Sequence, residues 1–118
     1  MNNGDFEGWL SLWNQDGVQM MPFIPAREGI EEIRAVMEPV FKKYTVELSI
    51  NEIQDVIAYH DSGLTRCKYT LTLIDQKGRR IQGDPDGKTL TLYTRQPDGS
   101  WKIIYDCSNT SSRKRSFT

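Results

Sequence analysis

Apolar and polar residues alternate along the last third of the chain, on both sides of the turn Gln96-Pro97-Asp98-Gly99. Residues 90–94 precede this turn and residues 100–109 follow it. Alternation of this kind around a Pro-Asp-Gly turn is typical of a β-hairpin, in which successive side chains point to opposite faces. Two earlier segments, residues 46–50 and 65–74, alternate in the same way and predict further strands.

The N-terminal part of the chain carries apolar residues at helical spacing instead. Behind the candidate N-cap Asp5, they recur at intervals of three and four positions at Phe6, Trp9, Leu10 and Trp13. A second helix is predicted for residues 30–44, because two glutamates occupy its first turn and two lysines its last. Its apolar stripe is expected to consist of Ile30, Ile33, Met37, Val40 and Tyr44. Between the two helices, residues 18–21 are expected to form a short strand.

The order of these elements is helix, short strand, helix and then four strands. This order predicts an α+β fold in which the helices lie across the concave face of a curved antiparallel sheet. The spacing of the isoleucines around Asn51-Glu52 predicts a β-bulge there. Residues 1–110 are expected to form a single domain, with a mobile loop at 79–88, and residues 111–118 a flexible basic tail.

The charge balance excludes two classes of partner. Lysine and arginine number 15 and aspartate and glutamate 16, so a net charge of −1 gives no basis for binding nucleic acid or a membrane. The acidic start of the sequence is unlike a signal peptide, and no apolar run approaches the ~20 residues of a membrane span. We therefore expect a cytoplasmic protein.

The two cysteines, Cys67 and Cys107, lie in separate strand patterns without the spacing of a metal site. Reduced thiols are expected, and a disulfide is the alternative. No metal or cofactor is predicted.

One face of the last hairpin mixes apolar and polar side chains. Asp106 lies on it beside Ile104 and Ser108. The preceding strand contributes a similar row, formed by Thr91, Tyr93 and Arg95. An apolar wall with a few polar groups is typical of a small-molecule site, so this face is predicted to line a pocket.

Several short motifs resemble those of one known family. They are Gly4-Asp5, Leu12-Trp13, Asp16, Pro22, Arg27-Glu28-Gly29-Ile30 and Arg95-Gln96-Pro97-Asp98-Gly99-Ser100-Trp101-Lys102. Across residues 3–110 the chain resembles the SnoaL-like branch of the nuclear transport factor 2-like superfamily, which includes ketosteroid isomerases and polyketide cyclases. The resemblance implies a cone-shaped fold with an apolar pocket for a small molecule. It implies less about the reaction, because this scaffold hosts many functions.

The cone predicts which side chains face its interior. The sheet is expected to contribute Thr91, Tyr93, Arg95, Ile104, Asp106 and Ser108. The opposite side is expected to contribute Trp13, Met21, Phe23, Val36 and Val40. Arg66 is a further candidate, with exposure to solvent as the alternative.

The residues of the ketosteroid isomerase mechanism are not carried over. Met21 stands where those enzymes place their general-base aspartate, and Thr91 stands where they place an acidic donor. Their tyrosine belongs to a helix before Gly4-Asp5, and this sequence has almost none of that helix. Steroid isomerisation by that mechanism is therefore not expected.

Without that helix, apolar surface would remain bare. A dimer that covers it, a start further upstream, and a wide-open pocket are the three explanations. A homodimer is the preferred prediction, through an outer sheet face that carries Leu71, Trp101, Ile103 and Tyr105.

Two hypotheses about function remain. In the first, isomerase-like or cyclase-like acid–base chemistry uses Asp106 as the general acid or base, while Tyr93 donates a hydrogen bond to a developing oxyanion. The structural alternative for Asp106 is an ion pair with Arg66 or Arg95. In the second hypothesis, the domain is a non-catalytic module that binds a small ligand or dimerises.

Overall fold

A computed structural model describes residues 5–111 of the chain. The elements are α1 (Phe6–Leu10), β1 (Trp13–Met20), β2 (Arg27–Glu28), α2 (Ile30–Lys43), β3 (Thr45–Ala58), β4 (Ser62–Ile74), β5 (Arg80–Arg95) and β6 (Trp101–Thr110). The strands form one six-stranded sheet in the order β2-β1-β6-β5-β4-β3. The predicted α+β class is confirmed. The sheet is mixed, because β1 pairs in parallel with β6 while the other neighbours are antiparallel.

Helix α1 is shorter than its apolar spacing predicts. Asp5 caps it as expected, since its Oδ1 accepts a hydrogen bond from the Gly8 backbone N–H at 3.0 Å. The helix ends at Leu10, and Trp13 is the first residue of β1 instead of the last residue of a helical stripe. The Ile103 N–H donates to the Leu12 carbonyl at 2.8 Å, so pairing with β6 replaces a further helical turn.

The predicted loop at residues 79–88 is wrong, because this segment forms the first half of β5. Its turn-forming residues are accommodated by irregular pairing with β4 on both sides of Leu71. Gly87 is required there, since a Cβ at this position would lie 2.1 Å from the ring of buried Tyr69. Asp84 is buried and accepts a hydrogen bond from the Thr110 hydroxyl at 2.9 Å. Tertiary pairing thus overrides a local composition that favours a turn.

The bulge predicted in β3 is confirmed. The pairing register of β3 with β4 shifts between Ile50 and Glu52, and again between Ile53 and Asp55. Bulges bend and twist the strand that carries them. The two bulges therefore bend β3, as the predicted curvature of the sheet requires.

Helix α2 covers part of the concave face. It ends at Lys43, one residue before the predicted end, and buries Ile33 completely and Phe41 nearly so. These side chains join α1, β1, β3 and β4 in one core, which also contains Phe6, Leu10, Trp13, Val46 and Leu73. The helix therefore forms one side of a space whose other side is the sheet.

Two further features concern the whole described chain. None of the helices in residues 5–111 is long and apolar enough to cross a membrane. Cys67 and Cys107 are free thiols. Beyond Ser111, the predicted basic tail lies outside the described residues.

Candidate active site on the concave face

A cavity of about 330 Å³ lies between the concave face of the sheet and the helices. Its aromatic and aliphatic lining includes Trp9, Phe41, Val46, Leu48 and Leu71. Its polar lining comprises Gln19, Thr65, Thr89, Thr91, Tyr93, Asp106 and Ser108. The volume falls within the range of sites for small organic molecules, and the mixture of a mainly apolar wall with a few polar groups is typical of them.

Six of the residues predicted to face the cone lie on this wall. They are Trp13, Met21, Thr91, Tyr93, Asp106 and Ser108. Alternation along β5 and β6 is sufficient to group the last four, because residues two apart on a strand share a face. Trp13 and Met21 come from β1 and the residue that follows it.

Three residues predicted to line the opposite side do not do so. Phe23 lies in the turn between β1 and β2, with a left-handed backbone (φ 72°) and a side chain that is 75% exposed. Val36 is exposed on the outer side of α2. Val40 packs against the hydrophobic core rather than the cavity. The apolar stripe of α2 is wide, and only the part that includes Met37 and Phe41 lines the cavity.

A bulge in β6 corrects the prediction for Ile104. Leu92 pairs with Tyr105 but Tyr93 pairs with Ile103, so Ile104 is left without a partner in the register. Ile103 therefore lines the cavity in place of Ile104. Ile103 and Leu71 both line the cavity, so neither belongs to the predicted outer dimer face.

The two candidate arginines lie away from Asp106. Arg66 points to the convex face, since its neighbours Thr65 and Cys67 line the cavity, and its Nε lies 2.6 Å from Asp55 Oδ2. The Arg95 guanidinium lies 5.9 Å from the centroid of the Trp101 ring. Neither arginine pairs with Asp106, so the proposed structural ion pair is wrong. Within residues 5–111 no cation forms a salt bridge with this carboxylate.

Asp106 is instead a partly buried carboxyl group held by one hydroxyl. Thr91, its Cα partner on β5, donates from Oγ1 to Asp106 Oδ1 at 3.0 Å. Burial raises the pKa of Asp106 above its ordinary value, and the Thr91 hydrogen bond opposes this shift to a smaller degree. A carboxyl group with a raised pKa can exchange protons at a higher pH than an ordinary aspartate, as general acids and bases do.

Sequence reasoning missed Gln19 and Met37. Gln19 is buried, lines the cavity, and is the Cα partner of Asp106 across the parallel β1–β6 pair. Its position two residues before Met21 in the strand predicted for residues 18–21 was a usable signal. Met37 lies on the predicted apolar stripe of α2, so periodicity indicated its burial but not its contact with a ligand space.

Arg27 contacts both Gln19 and Met37. Its Nη1 donates to Gln19 Oε1 at 2.7 Å and lies 3.5 and 3.6 Å from the sulfurs of Met21 and Met37. Burial lowers the pKa of the Arg27 guanidinium below its ordinary value. Within the described chain no carboxylate forms a salt bridge with this guanidinium. Its positive charge is therefore directed at the cavity wall without an acidic partner.

The described residues do not bring together three or more side chains of the kinds that bind a metal ion. The chemistry that the cavity itself offers is hydrogen bonding and proton exchange with a molecule held by apolar contacts.

Comparison with known proteins identifies the scaffold. The family model described as SnoaL-like domain matches residues 1–102. None of the curated proteins matches the chain. Many solved structures do.

Three of these structures illustrate the range of names carried by the fold. A ketosteroid isomerase-like protein from Erwinia carotovora atroseptica is 24% identical, with a TM-score of 0.75 over 92% of this chain and 83% of its own. A protein provisionally named a dehydratase of the NTF2-like family, from Streptomyces avermitilis, is 18% identical, with a TM-score of 0.76 over 92% and 83%. A protein provisionally named a calcium/calmodulin-dependent protein kinase II association domain, from Xanthomonas campestris, is 24% identical, with a TM-score of 0.74 over 89% and 73%. At these identities the likeness establishes the fold alone.

Proposed function

The chain belongs to the SnoaL-like domain family, and from that premise we propose that its cavity binds a small, mainly apolar molecule with which Asp106 exchanges a proton. The observation that carries the proposal is a partly buried carboxyl group that has no cationic partner in the described chain and faces a mainly apolar cavity. A carboxyl group buried for structural reasons alone is usually paired with a cation. An unpaired one in a cleft is a candidate for acid–base chemistry.

The walls support the choice of an apolar ligand. Trp9, Trp13, Phe41 and Leu71 present large apolar surfaces to the cavity. Covering such surfaces with a ligand is favourable by about 25 cal/mol per Å² of apolar area. The ligand would displace water from the cavity, and the loss of water would further raise the pKa of the Asp106 carboxyl group.

Tyr93 supports the assignment of acid–base chemistry. Its side chain lies on the same wall as Thr91, two residues along β5, and therefore on the same side of the sheet as Asp106. A phenolic hydroxyl can donate a hydrogen bond to an oxygen on which negative charge develops. Proton transfers assisted by such a hydrogen bond underlie isomerisation, dehydration and cyclisation. The protein names of two fold neighbours refer to the first two of these reactions.

Binding can be tested with the methionine methyl groups as reporters. Met21 and Met37 contribute to the cavity, whereas Met20 pairs with Cys107 and alternates to the other face of β1. On addition of indane, a small bicyclic hydrocarbon, we expect the methyl signals of Met21 and Met37 to shift and saturate in a carbon–proton NMR titration. The Met20 signal should stay in place, which makes it an internal control. Saturable shifts at Met20 alone, or none, would contradict the proposal.

A dimerisation role is favoured by one observation on the convex face. The strand register aligns five apolar residues across five strands: Ile57, Leu64, Leu92, Tyr105 and Val18. Tyr105 is 46% exposed and Ile57 is also exposed. The charged groups beside this row neutralise one another in the pairs Arg66–Asp55 and Lys68–Glu52. We therefore propose that a second copy of the chain covers this face.

Light scattering tests the dimer. The expected mass in solution is twice the chain mass of 13.6 kDa. Replacing Tyr105 by glutamate should give a monomer, because a charge would be buried without a partner within the apolar row. Replacing Gln76, which is exposed in the turn between β4 and β5, by glutamate is the matched control and should leave a dimer. A wild-type monomer would overturn this part of the proposal.

A further inference from the structure

A guanidinium group lies at the β2 end of the cavity. Arg27 Nη1 is 2.7 Å from Gln19 Oε1 and 3.5 and 3.6 Å from the sulfur atoms of Met21 and Met37. All three of these neighbours line the cavity. The half-buried Arg27 side chain is therefore held where β1, β2 and α2 meet, between the cavity wall and solvent.

Most of the hydrogen-bonding capacity of Arg27 is unused. A guanidinium group has five N–H donors. Within residues 5–111, the side-chain bonds of Arg27 all come from Nη1, so Nε and Nη2 donate none in this part of the chain. Two N–H groups on one edge of a guanidinium are spaced to bind both oxygens of a carboxylate. This edge of Arg27 therefore has the geometry of a carboxylate-binding site.

Arg27 differs from the other arginines of the described chain. Four of those form salt bridges with carboxylates and a further one lies over an aromatic ring: Arg34, Arg66, Arg79 and Arg80 pair with acids, and Arg95 lies over Trp101. The acidic neighbours of Arg27 are turned elsewhere. Glu32 Oε1 accepts a hydrogen bond from the Glu28 backbone N–H, and Glu28 itself alternates to the opposite face of β2.

This unpaired charge is costly to the protein. Half-burial removes part of the hydration of the guanidinium, and the described chain supplies no carboxylate in exchange. An anion that enters the cavity would supply the missing counter-charge. The hydrogen bonds gained would be charge-assisted, which are the stronger kind.

The row of Cα partners that begins at Arg27 crosses all six strands. It runs through Arg27, Gln19, Asp106, Thr91, Thr65 and Val56. Neighbouring strands are about 4.8 Å apart, so the row is about 24 Å long measured along the sheet. The concave face thus offers a long path that starts at a positive charge.

The other end of this path is apolar. A second cavity of about 310 Å³ lies there, and its lining includes Val56 and Trp101. It shares Thr65 and Tyr93 with the first cavity, so the two adjoin. Val56 is 67% exposed and Trp101 40% exposed. A hydrocarbon chain that covered these side chains would be stabilised by the burial of apolar surface.

We propose that Arg27 is the anion-binding end of the cavity and that the ligand is an elongated amphipathic carboxylic acid of the fatty-acid type. Its carboxylate pairs with Nε and Nη2 of Arg27, and its hydrocarbon chain follows the row toward Val56 and Trp101. This inference rests on the proposed function and specifies its ligand.

The proposal also fixes which part of the ligand meets the proton-exchanging group. Asp106 is two strands away from Arg27 in the row, about 10 Å along the sheet. A chain anchored at Arg27 would therefore bring to Asp106 an atom several bonds from its carboxylate. The carboxylate itself is a binding group and takes no part in the proton exchange.

Matched ligands test the anion site. Decanoate and decan-1-ol have chains of equal length and differ in the charge at one end. At pH 7 and below the concentration of micelle formation, we expect the wild-type protein to bind decanoate at least about tenfold more tightly in NMR titrations of the Met21 and Met37 methyl signals. In Arg27→Met this ratio should fall to about one. Arg79→Met removes an arginine from the turn between β4 and β5 and should keep the wild-type ratio.

Two further variants separate the charge of Arg27 from its contribution to packing. Arg27→Lys keeps a positive charge and should retain part of the preference for decanoate. Gln19→Glu leaves Arg27 in place but puts a carboxylate beside it, which competes with the ligand. The preference should therefore be lost in Gln19→Glu, while the binding of decan-1-ol continues.

Chain length tests the path along the sheet. Hexanoate should shift the methyl signals of Met21 and Met37 and leave the indole N–H signal of Trp101 in place. Tetradecanoate should shift all three signals with one dissociation constant, because its chain reaches the second cavity. In Arg27→Met the response of Trp101 to tetradecanoate should weaken together with the affinity.

Each contrary result has its own meaning. Equal binding of decanoate and decan-1-ol by the wild-type protein, with indane still bound, would overturn the anion site and leave the proposed cavity function in place. An unchanged ratio in Arg27→Met would remove Arg27 from the site. Tighter binding of decyl phosphate than of decanoate would overturn the choice of a carboxylate, and a Trp101 signal that ignores tetradecanoate would overturn the elongated ligand. Binding of none of these compounds, indane included, would overturn both the inference and the proposed function.

Discussion

Replacing Trp13 by alanine is expected to lower the free energy of unfolding by about 3–5 kcal/mol. Trp13 is only 2% exposed and joins the core cluster at the point where β1 begins. Its ring lies 5.8 Å from the Trp9 ring in an edge-to-face arrangement, and the same side chain closes one side of the cavity. Truncation therefore opens a void that joins the cavity, and the aromatic contacts are lost together with the buried area.

Urea denaturation would measure this loss of stability. Two further variants provide comparisons that show whether the loss is specific to the Trp13 ring. Leu12→Ala removes an apolar side chain at the adjacent position, but Leu12 is 45% exposed, so a loss of about 1 kcal/mol or less is expected. Trp13→Phe should cost much less than Trp13→Ala, because phenylalanine keeps a large aromatic ring in the core. Both replacements remove the unpaired buried donor Nε1, whose burial costs about 1–3 kcal/mol. Equal losses for Leu12→Ala and Trp13→Ala would show that Trp13 does not anchor the core.

The sequence predicted the fold where local pattern and tertiary structure agree. Alternation along β5 and β6 placed Thr91, Tyr93, Asp106 and Ser108 on one face, and all four line the cavity. Isoleucine spacing located the first β3 bulge, because a change of face must be matched by an extra residue. These features depend on backbone geometry within a strand, which a sequence records directly.

The sequence predictions are wrong where pairing between distant segments of the chain determines the local structure. The segment around Gly87 reads as a turn, yet β4 and β6 hold it in the sheet on both sides. The β6 bulge that exchanges Ile103 for Ile104 has no local signal, since both residues are isoleucine. The contact of Arg27 with Gln19 and the position of Gln19 beside Asp106 require the order β2-β1-β6, which no local pattern encodes. The candidate site was therefore predictable in its sheet residues and not in its row of polar contacts.

Replacing Asp106 by asparagine is expected to reduce the rate of proton abstraction in the cavity by about 10²–10⁴-fold. 5-Nitrobenzisoxazole is a suitable probe, because its ring opens when a base takes the proton from its carbon: the nitrogen–oxygen bond breaks and the oxygen leaves as a phenolate. The wild-type rate should rise with pH through a pKa above the ordinary range of aspartate, since burial raises the pKa of Asp106 and the base must be ionised. Asparagine keeps the shape and can still accept from Thr91, but it cannot take a proton.

Stability measurements on the same pair of proteins separate loss of the base from loss of the fold. Because the raised pKa makes the folded state bind more protons than the unfolded state, the stability that neutral Asp106 permits is fully present below the ordinary carboxyl pKa. It falls as the pH rises through the raised pKa. Wild-type stability should therefore decline with pH relative to Asp106→Asn, which has no ionisable group at this position. An equal rate in both proteins, or a rate profile with an ordinary aspartate pKa, would exclude Asp106 as the base. If the stabilities of the wild-type protein and of Asp106→Asn declined equally with pH, the decline could not come from the ionisation of Asp106. That result would contradict the raised pKa assigned to this group, even if the variant lost activity.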